Sequence, residues 1–105
     1  MMRTFDEFWL FYLREHARPA TRALHLAGST AALVCAVIGV ATRAPVWWAI
    51  GLGVGYGCAW TGHFFVEHNR PATFRHRLWS FAADWKMWAC AVSGRLGREL
   101  NRAGL

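Results

Sequence analysis

Charged residues are scarce in this 105-residue chain: they make up 17% of the sequence, against 55% hydrophobic residues, and only six are acidic. A soluble domain of this size exposes most of its residues, so it could not easily cover seven tryptophans and seven phenylalanines. The high apolar content also excludes a disordered chain. The composition therefore indicates a single-domain membrane protein.

Motifs of several enzyme classes are missing as well. The three cysteines, Cys35, Cys58 and Cys90, have no CxxC spacing, so they are interpreted as small core residues. No GxSxG elbow is present, and the glycines of residues 51–57 lack the GxGxxG order of a phosphate loop. The start of the chain has two acidic residues where a secretory signal would carry its apolar segment. Nucleophilic catalysis and cleavage of a leader are therefore not predicted.

Two uncharged runs occupy the middle of the chain. Apart from His25, residues 23–42 contain no acidic or basic side chain, and residues 44–62 contain none at all. Each run has close to the roughly 20 residues that cross a bilayer. Arg43 and Pro45 leave room only for a tight turn between them. The sequence therefore predicts a two-span antiparallel transmembrane hairpin, with spans at 23–42 and 44–67.

Arginines are distributed unevenly around this hairpin. The turn carries Arg43 alone, whereas six arginines flank the open end: Arg14, Arg18, Arg22, Arg70, Arg75 and Arg77. Because positive charge stays inside, both termini are predicted to be cytoplasmic, in the inner membrane of a bacterial cell. The basic residues flank apolar segments and are missing within them, so the predicted partner is anionic lipid and not nucleic acid.

Small residues predict how the two spans pack. Gly51/Gly55 and Gly53/Gly57 are small-xxx-small pairs, which allow membrane helices to approach closely. A matching stripe of small residues lies on the first span and consists of Gly28, Ala32 and Ala36.

Two amphipathic segments flank the hairpin and complete an all-α fold. Residues 4–17 open with a Thr4–Glu7 capping box and carry one apolar face, formed by Phe5, Phe8, Trp9, Tyr12 and His16. They predict a helix lying on the membrane surface. Residues 78–101 predict one amphipathic helix at, or dipping into, the cytoplasmic interface. Its apolar stripe is Phe81, Trp85, Trp88, Val92 and Leu96, and its polar stripe is Asp84, Arg95, Arg98 and Arg102.

Three histidines are predicted to converge at the cytoplasmic end. His25 and His63 lie nineteen positions before and after Ala44, so a hairpin turning there places them at equal depth. His16 ends the apolar face of the first helix, and Glu67 shares a helical face with His63. Ionisable groups at this depth need a partner or a metal. Three histidines and a carboxylate suit iron or zinc.

A structural alternative stays open at this point. The same histidines could hydrogen-bond and cross-link the helices of a small membrane protein that is not an enzyme. His68 points away from the His63/Glu67 face, and His76 lies within a basic run that predicts contact with lipid headgroups. Neither of these two histidines is therefore predicted to belong to the cluster.

Two segments resemble a known membrane family. They are FWLFYLREHARPATRALHLAG, residues 8–28, and WTGHFFVEHNRPATFRHRLWSFAADWKMW, residues 60–88. They are similar to a family whose characterised member is the yeast 2-hydroxy fatty acid dioxygenase, and the second segment matches the GHxxxE-x-x-x-PA signature of its short bacterial branch. The resemblance implies an iron(II)-dependent oxygenase that removes one carbon from a 2-hydroxy fatty acid.

The resemblance also implies roles for particular residues. His16, His25 and His63 fall on family histidine positions and would bind Fe(2+), while Glu67 falls on the signature glutamate, as a catalytic or metal-orienting group. Arg22 or Arg70 is proposed, from its position, to pair with the substrate carboxylate. The yeast enzyme resembles a four-span protein and this chain is shorter. Copies of this chain could therefore complete the site together, as a homo-oligomer.

Overall fold

The computed structural model describes residues 2–105, and for Phe74 the backbone alone. Its α-helices are α1 (Phe5–Arg14), α2 (Pro19–Thr42), α3 (Val46–Thr61), α4 (Arg77–Val92) and α5 (Leu96–Arg102). A π-helical segment (Gly62–Glu67) continues α3, and a 3-10 turn (Ala72–Phe74) precedes α4. Residues 2–105 contain no strand, so the predicted all-α class is confirmed.

Helices α2 and α3 pack as an antiparallel pair through their small residues. A Cβ atom added to Gly28 would lie 3.0 Å from the carbonyl oxygen of Gly55, and one added to Gly51 would lie 3.1 Å from that of Ala32. The backbones therefore approach as closely as the small-residue pattern predicts. The prediction fails for the second glycine pair, since Cβ atoms at Gly53 and Gly57 would have nothing within 4 Å.

Among the helices of residues 2–105, one, α2, is long and apolar enough to cross a membrane. Helix α2 begins at Pro19, four residues before the predicted start, because proline at the first helical position needs no hydrogen-bond acceptor for its nitrogen. Helix α3 has 16 residues, which is shorter than the roughly 20 that cross a bilayer. The second predicted span is therefore not confirmed, although the π segment carries the helical path on to Glu67.

The apolar face of α1 lies in the protein core, whereas the sequence predicted that this face contacts the membrane surface. Phe8, Trp9, Tyr12 and Leu13 are completely buried, and they cluster with residues of α4. The predicted cap at Thr4 is present, because its hydroxyl accepts the Glu7 N–H at 3.1 Å. An amphipathic face can be covered by lipid or by protein, and here α4 and α5 cover it.

The segment 78–101 forms two helices, where a single one was predicted. Helix α4 ends at Val92, and Gly94 shortly after it has a left-handed conformation with φ 77°. The Arg95 N–H then donates to the Cys90 carbonyl at 2.8 Å. This is a Schellman turn, which glycine adopts without steric cost. Helix α5 then folds back onto α1, where Trp9 Nε1 donates to Glu99 Oε1 at 2.8 Å.

The buried face of α4 also differs from the predicted stripe. Its buried residues are Ser80, Ala83, Met87 and Cys90, whereas Phe81 and Val92 of the predicted stripe are exposed. Helix α1 contributes large aromatic side chains to this contact, so the facing side of α4 carries mainly small ones. Asp84, which was predicted to join a polar surface stripe, instead lies partly buried beside His25.

Candidate functional site

The structure brings His16, His25 and His63 together at one end of the α2–α3 pair. Their exposed fractions are 1%, 5% and 3%. The ring centre of His16 lies 5.1 Å from that of His25 and 4.5 Å from that of His63. Three separate elements supply these side chains: the turn after α1, the second turn of α2, and the π segment. The three rings therefore form one buried cluster, with His16 between the other two.

The backbone of α1 holds His16. Its Nδ1 lies 2.7 Å from the carbonyl oxygen of Tyr12, which can only accept a hydrogen bond, so Nδ1 carries the proton of the neutral ring. Its Nε2 is buried without a partner. Burial lowers the pKa of His16 well below its usual range, and the nearby His25 and His63 lower it further. His16 is therefore neutral at pH 7 and keeps a free lone pair on Nε2.

A buried carboxylate from α4 holds His25. Its Nε2 lies 3.1 Å from Oδ1 of Asp84 and 3.0 Å from the hydroxyl oxygen of Tyr12. The Tyr12 hydroxyl donates to the same Asp84 oxygen at 2.6 Å. Burial, followed by the charge of Asp84, raises the pKa of Tyr12 well above its usual value, so Tyr12 stays protonated. These partners place the His25 proton on Nε2, and its buried Nδ1 has no partner.

A side-chain amide holds His63. Asn69 Nδ2 donates to the Glu15 carbonyl at 3.0 Å, which orients the amide so that Oδ1 faces His63 Nδ1 at 2.7 Å. His63 therefore donates from Nδ1 and keeps the lone pair on Nε2. The left-handed residue His68, with φ 61°, makes the sharp turn that places Asn69 there, and the Asn69 N–H donates to the His63 carbonyl at 2.8 Å.

Each histidine thus donates one ring N–H to a fixed acceptor, and the other ring nitrogens of His16 and His25 are buried without a hydrogen-bond partner. Metal-ligating histidines show this pattern, because the acceptor sets the tautomer and orientation of the ring. Within residues 2–105, however, no group of three or more His, Cys, Asp and Glu side chains is arranged to hold a metal ion. The donor chemistry fits a metal such as iron, whereas a complete ligand geometry is not formed, so the metal site stays a prediction.

Glu67 has partners other than the histidines. Its Oε2 accepts the Arg18 N–H at 2.6 Å and the Thr21 hydroxyl at 2.7 Å. Both donors lie at the start of α2, where the N-cap residue makes no side-chain cap of its own. A carboxylate is favourable there, because helix N-termini carry unpaired N–H groups and partial positive charge. Glu67 therefore fastens the π segment to the first turn of α2.

The two arginines differ in their surroundings. Arg22 donates from Nη1 to the carbonyl oxygens of His16 at 2.8 Å and Ala17 at 2.9 Å, so its guanidinium lies beside the cluster. Arg70 is exposed and lines a surface groove that also includes Glu15. Of the two arginines, Arg22 is therefore the one that hydrogen-bonds to a histidine of the cluster.

The two remaining histidines lie outside the cluster, as predicted. The side chain of His68 is exposed, and its left-handed backbone makes the turn before Asn69. His76 packs inward against aromatic rings, with ring-centre distances of 5.2 Å to Phe8 and 5.9 Å to Trp79. It therefore covers one edge of the core, whereas contact with lipid headgroups was predicted.

The predicted site did not include Tyr12, Asp84 or Asn69, which orient the histidine rings. A signal existed for Asp84, since it is the only acidic residue in the sixteen residues of α4. An isolated acid in an apolar helix needs a buried partner. Tyr12 and Asn69 carry no comparable signal, because a tyrosine on an apolar face and an asparagine in a turn are both ordinary.

Comparison with known proteins agrees with the resemblance seen in the two segments. The family model described as "2-hydroxy-palmitic acid dioxygenase Mpo1-like" matches residues 2–96, which include the three histidines and all the residues that orient them. Among curated proteins and among solved structures, none matches the chain significantly. The family model covers well over half of the chain, and the chain therefore belongs to the Mpo1-like family.

Proposed function

We propose that this protein is an iron-dependent oxygenase that removes one carbon from 2-hydroxy fatty acids or related lipids. One observation carries the proposal: three buried histidines meet, each donates a hydrogen bond from one ring N–H to a fixed acceptor, and the other ring nitrogens of His16 and His25 have no hydrogen-bond partner. Membership of the Mpo1-like family supports the substrate class. The balanced reaction converts a 2-hydroxy acid and one dioxygen into the acid one carbon shorter, carbon dioxide and water.

His16, His25 and His63 would hold the iron through the nitrogens that their hydrogen bonds leave deprotonated. Iron(II), when bound, supplies the site at which dioxygen is activated. Asp84 and Tyr12 keep the proton of His25 on Nε2, and Asn69 keeps that of His63 on Nδ1. These positioning residues maintain the three rings as neutral donors.

Binding of the substrate carboxylate falls to Arg22 in this proposal. In the described part of the chain, both hydrogen bonds of its guanidinium use Nη1, so Nη2 and Nε can pair with a carboxylate. The bond from Nη1 to the His16 carbonyl places the charge next to the cluster. Arg70, which is exposed, is the second candidate for this role.

Glu67 is proposed as a positioning residue for two histidines at once. It ends the π segment that carries His63, and its hydrogen bonds fix the turn of α2 that precedes His25. Loss of these bonds would let the two segments separate, and the distance between the two rings would then change.

We also propose that α2 and α3 both lie in the bilayer, with the histidine cluster at its cytoplasmic surface. Large apolar side chains at the far end of the pair face outwards, including Val37, Val40, Val46 and Trp48. Six arginines surround the end that carries the cluster, against Arg43 alone at the turn. A reporter fused after Leu105 is expected to read cytoplasmic, and a periplasmic reading would contradict this orientation.

The alternative is a protein that is not an enzyme, in which the histidines only join the helices. It is favoured by the absence, within residues 2–105, of a group of side chains already arranged for a metal. The two functions differ in one measurable property, because only the oxygenase needs the deprotonated ring nitrogens to bind a ligand.

The test is metal binding and turnover by detergent-purified protein loaded anaerobically with iron(II). We expect close to one iron per chain and conversion of 2-hydroxypalmitic acid, with dioxygen, into the acid one carbon shorter. Replacing His16, His25 or His63 by alanine is expected to abolish bound iron. The matched control is His68→Asn, because His68 is exposed and asparagine tolerates its left-handed backbone. Folded protein that binds no iron and converts no 2-hydroxy acid would establish the alternative.

A further inference from the structure

A groove between α2, α3 and α4 starts at the histidine cluster. His25 and Asp84 lie at one end of it, and Tyr56 also contributes to its lining. Small residues of the α2–α3 contact form its floor, including Ala32, Gly51 and Gly55. Because these residues have almost no side chain, the two helices leave a shallow channel where larger residues would fill the space.

Apart from Ser29 and Tyr56, the side chains that line the rest of the groove are apolar, and the groove opens outwards. Leu52 of α3 forms one side, and Phe81 and Trp85 of α4 form the other. Leu52 is 57% exposed and Phe81 is 52% exposed. The mouth of the groove therefore lies on the outer surface of the protein, where other apolar side chains of α2 and α3 are also exposed. A molecule could therefore enter from the lipid phase without crossing water.

We infer that this groove binds the carboxyl-proximal part of the acyl chain of a 2-hydroxy fatty acid, an assignment that rests on the proposed function. The groove has His25 and Asp84 at one end and mainly apolar side chains elsewhere, which matches a molecule with one polar head and one hydrocarbon tail. At the polar end, His25 is 5% exposed and its Nδ1 has no hydrogen-bond partner, so a buried polar atom is left for the head of the substrate or its metal.

The length of the groove sets how much of the chain it holds. His25 and Ala32 are seven residues apart on α2, which is about 10 Å at a rise of 1.5 Å per residue. A long acyl chain is longer than this, so its far end would leave between Leu52 and Phe81 and continue among lipid tails. Side chains at the mouth of the groove should therefore contact a long acyl chain but not a short one.

The experiment compares two tryptophan substitutions on the same helix. Leu52→Trp enlarges a side chain at the mouth, while Val54→Trp enlarges one that is also exposed but does not line the groove. Both proteins are reconstituted in lipid nanodiscs. The first readout is the kcat/KM ratio of 2-hydroxypalmitic acid to a short 2-hydroxy acid that ends before Leu52. We expect Leu52→Trp to lower this ratio about tenfold or more, and Val54→Trp to leave it unchanged.

The second readout does not need turnover. A 2-hydroxy fatty acid with a photoreactive diazirine in the middle of its chain is cross-linked to the protein, and the modified peptides are identified by mass spectrometry. Cross-links are expected on Leu52, Phe81 and Trp85. They should decrease in Leu52→Trp and persist in Val54→Trp, with the iron content of both variants equal to that of the parent.

The two readouts separate failure of the groove from failure of the proposed function. Normal turnover with equal chain-length ratios in both variants, or cross-links elsewhere, would overturn the groove and leave the oxygenase intact. Cross-links in the groove without any oxidation of 2-hydroxy acids would keep a fatty-acid site and overturn the oxygenase. Protein that shows neither turnover nor cross-links in the groove would overturn both.

Discussion

The two ends of the α2–α3 pair use their apolar residues in opposite ways. At the end that carries the histidines, Phe8, Trp9 and Tyr12 of α1 are completely buried against α4. At the end near the turn, Val40 is 67% exposed and Trp48 is 53% exposed. The first end is covered by its own helices, whereas the second leaves its apolar side chains exposed. The buried histidines lie at the self-covered end, so their environment depends mainly on protein packing.

Truncating one apolar side chain at each end tests this difference. The largest effect is expected at Trp9. Trp9→Ala removes a completely buried ring and its hydrogen bond to Glu99, so the free energy of unfolding is expected to fall by about 3–5 kcal/mol. Val40→Ala at the exposed end should change it by no more than about 0.5 kcal/mol. Denaturant unfolding of both variants in the same detergent measures the effects, and equal losses would contradict the difference between the ends.

A smaller effect is expected at Asp84, which lies beside His25 at the self-covered end. Asp84→Asn removes the negative charge that accepts from His25 and Tyr12 but keeps the size of the side chain. Iron affinity is expected to fall about 10–100-fold, because the acceptor that orients a ligand histidine is weakened. Iron titration measures this loss.

The control for this variant is Asp6→Asn, which removes a carboxylate paired with Arg102 on the surface. The Asp6–Arg102 pair is exposed and screened by solvent, so its loss should leave the iron affinity unchanged. Loss of the same size in both variants would show that net charge, and not the contact with His25, determines iron binding.

The smallest effect is expected at Glu67, which joins the two segments that carry His25 and His63. Glu67→Gln keeps one oxygen acceptor for Arg18 N–H and Thr21 but loses the charge at the start of α2. The free energy of unfolding should fall by about 0.3–1 kcal/mol, the size of a charge interaction with a helix terminus. Thermal unfolding together with iron content measures the result. A loss of iron affinity of more than about 100-fold in a variant of normal stability would exceed the effect of an orienting residue and would instead make Glu67 a ligand.

Periodicity and local chemistry were enough to predict several parts of the fold. The apolar runs and the Arg43–Pro45 link predicted two helices joined by a short turn, and the structure has α2 and α3 there. Thr4 caps α1 as expected. Gly94 followed by Arg95 is a helix stop that the sequence could also have predicted, since glycine takes the left-handed position of a Schellman turn.

Contacts between distant segments could not be predicted in the same way. The periodicity of α1 showed that it has an apolar face, but lipid and protein cover such a face equally well, and only the packing of α4 and α5 decided between them. For the same reason Asp84 was assigned to a polar surface stripe, although it accepts hydrogen bonds from Tyr12, 72 residues away, inside the protein. A helical pattern gives the direction of a side chain and not the identity of its neighbour.

The histidine cluster shows both contributions. The sequence by itself determined that His25 and His63 lie at one depth, because helical segments of equal length on either side of a turn return to the same level. The tertiary structure decided which nitrogen of His25 and of His63 carries the proton. His25 donates to Asp84, which belongs to another helix, and the Glu15 carbonyl, 54 residues away, orients the amide of Asn69 towards His63. His16 differs, because its acceptor is the Tyr12 carbonyl only four residues earlier. Spacing along a helix determines depth, whereas a hydrogen bond requires two atoms within about 3 Å, and only the packing of distant segments brings Asp84 to His25 and Glu15 to Asn69 at that distance.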